Sequence, residues 1–146
     1  MTWEQALAEA VPVDRAVLAQ AYLPLTPEPC NVGVARKFVT SLVQESCRDC
    51  LDVAQLLTSE LITNAVIHAR TRLEVAVVVT TYVVVVLVHD EDVGRREIVL
   101  HERDGGRGLE LVRALAATSG VTHHPGGGKT AWFTLATDIA PHGMSV

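Results

Sequence analysis

VAQLLTSELITNAVIHA, residues 53–69, followed by LEVAVVVTTYVVVVLVHD, residues 73–90, decides the architecture. In the first stretch Val53, Leu57, Leu61 and Ala65 recur at four-residue steps, which predicts a helix from Val53 to about Ala69 with one buried face and Asp52 as its N-cap. The second stretch is crowded with valine, a residue that suits the pleated surface of a sheet. It reads as two strands, Leu73 to Thr80 and Tyr82 to His89, broken at Thr80-Thr81. That break lacks the Asn-Gly or Asp-Gly of tight hairpins, so one long bent strand also fits.

Working outward, Val34, Ala35, Phe38, Val39, Leu42 and Val43 keep helical spacing, and Thr26 with Pro27 in the first turn predicts where that helix starts. Upstream, Val17 to Leu25 alternates loosely and stops at prolines, as an edge strand does. Thr2 and Gln5 resemble a capping box for a short helix ending near Ala10. Downstream, residues 90–108 are charged and glycine-rich, a loop length that usually serves function. A third helix from Leu109 to about Ala117, closed by Gly120, is followed by strands at Val121 to His124 and Thr130 to Ala136. Interleaved helices and strands predict an α/β (α+β) two-layer sandwich, with a mixed, mostly antiparallel sheet covered by helices on one face.

The 146 residues fit a single domain, 1–146, with a core over about 23–135. A composition 49% apolar and 20% charged supplies a real core. A net charge of -5 argues against direct nucleic-acid binding or an anionic membrane surface, which need excess positive charge, and leaves a protein or small ligand as partner. The apolar run at residues 75–88 is too short for a spanning helix, which needs about twenty residues. The start MTWEQALAEA lacks a secretory pattern, so the expected location is cytoplasmic. Cys47 and Cys50 form a single CxxC without a second pair, which favours an ordinary connection over a metal or redox site.

Three groups carry chemistry. Glu60, Asn64 and His68 continue the stripe of Leu57, Leu61 and Ala65, so the core-facing side of the helix turns polar. Burying such groups without partners is costly, and this half of the helix should line a pocket unless it lies on a solvated edge. Asp90 ends an apolar strand and can accept a hydrogen bond from an exocyclic amine such as that of adenine; alone it reads better as a turn aspartate that bonds its own backbone. Gly105-Gly106-Arg107-Gly108-Leu109 opens a helix, where glycines and free N–H groups can cradle phosphate and Arg107 can add charge. Gly126-Gly127-Gly128-Lys129-Thr130 is not a Walker loop, because it runs into a strand.

Together, Glu60-Leu61-Ile62-Thr63-Asn64-Ala65, Asp90 to Gly94, Gly106-Arg107-Gly108-Leu109 and Gly128-Lys129-Thr130 resemble, in order and spacing, the asparagine box and the three glycine boxes of the GHKL ATPases. The resemblance covers roughly Leu23 to Leu135 and is strongest to stand-alone anti-sigma-factor serine/threonine kinases. It implies a Bergerat-type ATP-binding fold. It further implies Asn64 as ligand of the magnesium (Mg2+) that bridges the ATP phosphates, Glu60 as general base and Asp90 as reader of the adenine amine. Gly106, Arg107, Gly108 and Leu109 would cradle phosphate, Thr130 would support the adenine end through its hydroxyl, and residues 91–105, with Gly94, would form the lid. The sequence departs from the family at Asp92, where the first glycine of the DxGxG pattern usually stands. A shifted register with Asp92 as the motif aspartate is the alternative, but Asp90 sits better at the strand end.

The resemblance implies a kinase that holds a sigma factor and phosphorylates an anti-anti-sigma (STAS-type) partner on serine, with homodimers as the usual assembly. The competing expectation, motivated by Asp92, is a protein-interaction module that keeps the fold and has lost turnover.

Overall fold

The structure is a computed structural model and describes residues 2–11, 16–92 and 107–138. Its elements are α1 (Thr2–Ala10), β1 (Val17–Leu25), α2 (Asn31–Val43), α3 (Leu51–Asn64), a π-helical turn (Ala65–Ala69), β2 (Leu73–Thr80), β3 (Val83–Asp90), α4 (Arg107–Leu115), β4 (Thr118–His123) and β5 (Lys129–Ala136). The valine-rich stretch is a hairpin rather than one bent strand. Thr80 replaces the missing Asn-Gly chemistry: its Oγ1 accepts from the Val83 N–H at 3.0 Å and donates to the Val83 carbonyl at 3.1 Å.

The strands form one sheet in the order β1-β2-β3-β5-β4, every neighbouring pair antiparallel. β3 lies at the centre and is buried along its whole length, which explains why its sequence is a continuous apolar run instead of an alternation. Its period-2 geometry sends Val84, Val86 and Val88 to one face, where they meet Val75, Val77, Val79, Phe133 and Leu135 under α2 and α3. Ala35, Val39 and Val43 of α2, with Leu57 and Leu61 of α3, close this core.

The α/β sandwich is the one expected, with one correction: helices do not cover a single face. Val83, Val85, Leu87 and Trp132 point to the other side and are covered by Ala6 and Ala10 of α1. Because β3 is apolar on both faces, its second face needs a cover too.

Helix ends differ from expectation for local reasons. α2 begins at Asn31, whose side-chain amide donates to both the carbonyl and the hydroxyl of Thr26 at 2.9 Å, so Thr26 braces the turn instead of capping the helix. α3 begins at Leu51, placing Asp52 in the first turn, where its charge suits the helix dipole. α4 ends at Leu115 and β4 already runs from Thr118, so Gly120 is a strand residue and closes no helix. A Cβ at Gly120 would lie 2.6 Å from the Trp132 indole, which accounts for the glycine. Cys47 and Cys50, in the α2–α3 connection, are joined as a disulfide at a Cα separation of 5.4 Å, instead of lying unpaired.

Candidate functional site

α3 delivers the polar stripe to the edge of the larger core. Leu57, Leu61 and Ala65 are buried, while Glu60, Asn64 and His68 on the same side of the helix are half-buried. The Asn64 side-chain nitrogen is cut off from solvent and has no hydrogen-bond partner among the described residues. Leaving a buried donor unsatisfied costs roughly 1–3 kcal/mol, so this carboxamide calls for a partner that the described residues do not supply. Carboxamide nitrogen and oxygen are interchangeable by a flip, so the orphan end suits a cation or a phosphate-bound water as well as an acceptor. Directly after Asn64 the helix widens into the π-helical turn, a feature that recurs at functional sites. Arg70 then ends it at φ 54, with its N–H on the Ala65 carbonyl at 3.3 Å.

The strand end is knitted to this helix and to the β4–β5 turn. Asp90 is 3% exposed and lies on the α2/α3 face of β3, in phase with Val84, Val86 and Val88. Its Oδ1 accepts from the Asp92 N–H at 3.0 Å, and its Oδ2 pairs with the Lys129 ammonium at 3.0 Å. The Glu91 N–H donates to Thr71 Oγ1 at 3.0 Å, tying the strand end to the segment that follows the π-helical turn. Gly128, at φ +86, donates its N–H to the Asp92 carbonyl at 3.1 Å, and a Cβ there would strike the Asp90 carbonyl oxygen at 2.6 Å. Two of the expected boxes therefore meet backbone to backbone. Arg70 is the one non-glycine with positive φ among the described residues, so the place occupied by Asp92 does not demand glycine for its backbone.

Thr130 is not brought to this cluster. In the β3–β5 register His89 faces Thr130 and Asp90 faces Lys129, so the Thr130 side chain lies on the α1 side of the sheet. Its Oγ1 is 3.1 Å from His89 Nδ1 and 2.7 Å from His124 Nε2, inside a buried group on the face opposite to Asp90. The residue that stands beside Asp90 is Lys129, which sequence reasoning passed over. A buried aspartate at a strand end requires a partner, and only the strand register shows that the lysine opening the adjacent strand supplies it. Burial, and then the neighbouring His89, hold the His124 imidazole below its ordinary pKa of 6.5.

Gly94 and Gly106 lie outside the described residues. Arg107 and Gly108 open α4, so their backbone forms its first turn, where N–H groups have no partner within the helix. α4 packs on α3 through the half-buried Leu109 and the buried Val112, which places the start of one helix beside the other. The arrangement joins a polar helix stripe, a carboxylate at a strand end and a helix start around one side of the sheet.

The family model of the histidine kinase-like ATPase domain matches residues 23–135. The chain belongs to this family. The domain is of the GHKL ATPase type, and the five-stranded antiparallel sheet under its helices accords with that fold. No curated protein matches the chain. Membership in the histidine kinase-like ATPases supports ATP binding and, in general terms, ATP-dependent phosphotransfer. Among the described residues no helix is long and apolar enough to cross a membrane.

Proposed function

We propose that this chain is an ATP- and magnesium-dependent serine/threonine protein kinase that sequesters a sigma factor and phosphorylates an anti-anti-sigma protein on serine. The observation that carries the reading is Asn64, whose side-chain nitrogen is buried without a partner among the described residues, one helical turn beyond Glu60. Asn64 would hold the magnesium that accompanies the nucleotide, which when bound would supply positive charge against the group being transferred. Glu60 would take the proton from the attacking serine hydroxyl, and its half-buried place on the same stripe leaves it accessible to a partner. Asp90 would accept from the adenine amine, and the first turn of α4, with Arg107, would meet phosphate oxygens. A homodimer and a cytoplasmic location belong to the same proposal.

The test is calorimetry with Mg-ATP followed by transfer of labelled phosphate to a STAS-type protein encoded near this chain. Glu60→Ala should keep ATP affinity within about threefold and lose transfer by about a hundredfold or more, since a base acts only in the chemical step. Asn64→Ala should lose both. A Glu60→Ala protein that transfers phosphate at the normal rate removes that residue from catalysis.

One observation favours a second reading, a partner-binding module without turnover: both oxygens of Asp90 are already engaged, by Lys129 and by the Asp92 N–H. Absence of saturable Mg-ATP binding in the calorimeter would select it.

A further inference from the structure

The ion pair between Lys129 and Asp90 has a consequence for which base the site accepts. We propose that Lys129 is a specificity-determining residue that makes the site tolerant of 6-oxo purines, so that it takes inosine and guanosine triphosphates nearly as well as ATP. The inference rests on the nucleotide-binding reading above and deepens it. A carboxylate standing alone at the base end offers acceptors only: it welcomes a 6-amino group and repels a 6-oxo group. Here the Lys129 ammonium lies 3.0 Å from Asp90 Oδ2, and its side chain is 14% exposed against 4% for its partner, so the lysine is the more open half of the pair.

The pair therefore presents a donor and an acceptor side by side. A 6-amino purine can give its amine proton to Asp90 and accept from Lys129 at the adjacent ring nitrogen. A 6-oxo purine can accept from Lys129 at its oxygen and give its ring N–H to Asp90. The ammonium carries three donors on a flexible stem, so it can shift between the two patterns, and its charge cancels the repulsion between carboxylate and oxo group. Register fixes this placement: Asp90 and Lys129 are direct partners across β3 and β5, on the face that carries α3. The Gly128 N–H on the Asp92 carbonyl then holds the lysine backbone against the strand end.

The experiment is calorimetric titration of the full chain with the magnesium complexes of ATP, inosine triphosphate and guanosine triphosphate, repeated for Lys129→Met and Lys129→Arg. Expected are dissociation constants for ATP and inosine triphosphate within about tenfold in the unmodified chain. A site that must hydrogen-bond one pattern can reject the other by about 10⁴, and Lys129→Met should move toward that limit, favouring ATP by at least about a hundredfold. Lys129→Arg keeps the charge and should keep the tolerance, and thermal melts check that each variant is folded. If Lys129→Met does not fold, the unmodified chain and Lys129→Arg decide alone. Rejection of inosine triphosphate by a hundredfold or more in the unmodified chain, with ATP bound, overturns the proposal and leaves the nucleotide site standing. An unmodified chain that binds none of the three overturns the nucleotide-binding reading and this inference with it.

Discussion

Gly128 condenses the strand-end chemistry into one position. At φ +86 it holds a conformation that L side chains rarely adopt, and the space a Cβ needs is taken by the Asp90 carbonyl. Gly128→Ala should therefore destabilise the fold by about 1–3 kcal/mol, read as a lower urea midpoint, and should displace Asp90 enough to weaken Mg-ATP binding. An unchanged midpoint would show that the turn relaxes without cost. Asp90 and Gly128 were legible in the sequence because a charged strand end and a glycine cluster are local signals. The choice between Lys129 and Thr130 was not. Adjacent strand residues point to opposite faces, and which one faces α3 depends on how Gly127 and Gly128, both at positive φ, lead the chain from β4 into β5.

Among the elements, α3 carries the most weight, since its buried side anchors the core and its polar side carries the proposed site. Leu57 is fully buried between these roles, three residues before Glu60. Leu57→Ala should cost about 2–5 kcal/mol in urea unfolding, the range for truncating a packed leucine. Because the cavity would lie under Glu60 and Asn64, loss of phosphate transfer should exceed what the remaining folded fraction explains. A proportional loss would mean that the stripe is positioned independently of the core. Helical spacing made α3 and its polar stripe readable, but nothing in the spacing shows that the helix passes into a π-helical turn after Asn64. The position of α1 was equally hidden. Its amphipathic pattern says that one face is buried, whereas the choice of sheet face follows from the apolar second side of β3 and from Thr122, whose hydroxyl donates to Glu9 at 2.6 Å.

At the scale of the whole molecule, two faces of one sheet differ: the α2/α3 side carries the proposed site, and the α1 side holds a buried polar group. His124 is 8% exposed, one of its ring nitrogens has no partner among the described residues, and the other lies 2.7 Å from Thr130. Burial, then His89, press its pKa down; Glu9 pushes up, His123 down again, and Asp90 up, with the net shift below 6.5. A group whose folded pKa is depressed binds its proton more readily in the unfolded chain. The stability tied to neutral His124 is thus fully present above about pH 6.5 and is lost as pH falls from there through the lower folded value. Carboxylates complicate the acid limb only nearer to pH 4, so the window from about pH 7 to pH 5 separates imidazoles from carboxylates, and a variant singles out His124 among the six histidines. His124→Gln keeps a polar atom toward Thr130 and cannot titrate. Urea unfolding across that window should show the unmodified chain losing stability toward pH 5 with a steeper slope than the variant. Identical slopes would mean that His124 is protonated as easily in the fold as outside it, and the buried network on the α1 side would then not sense pH.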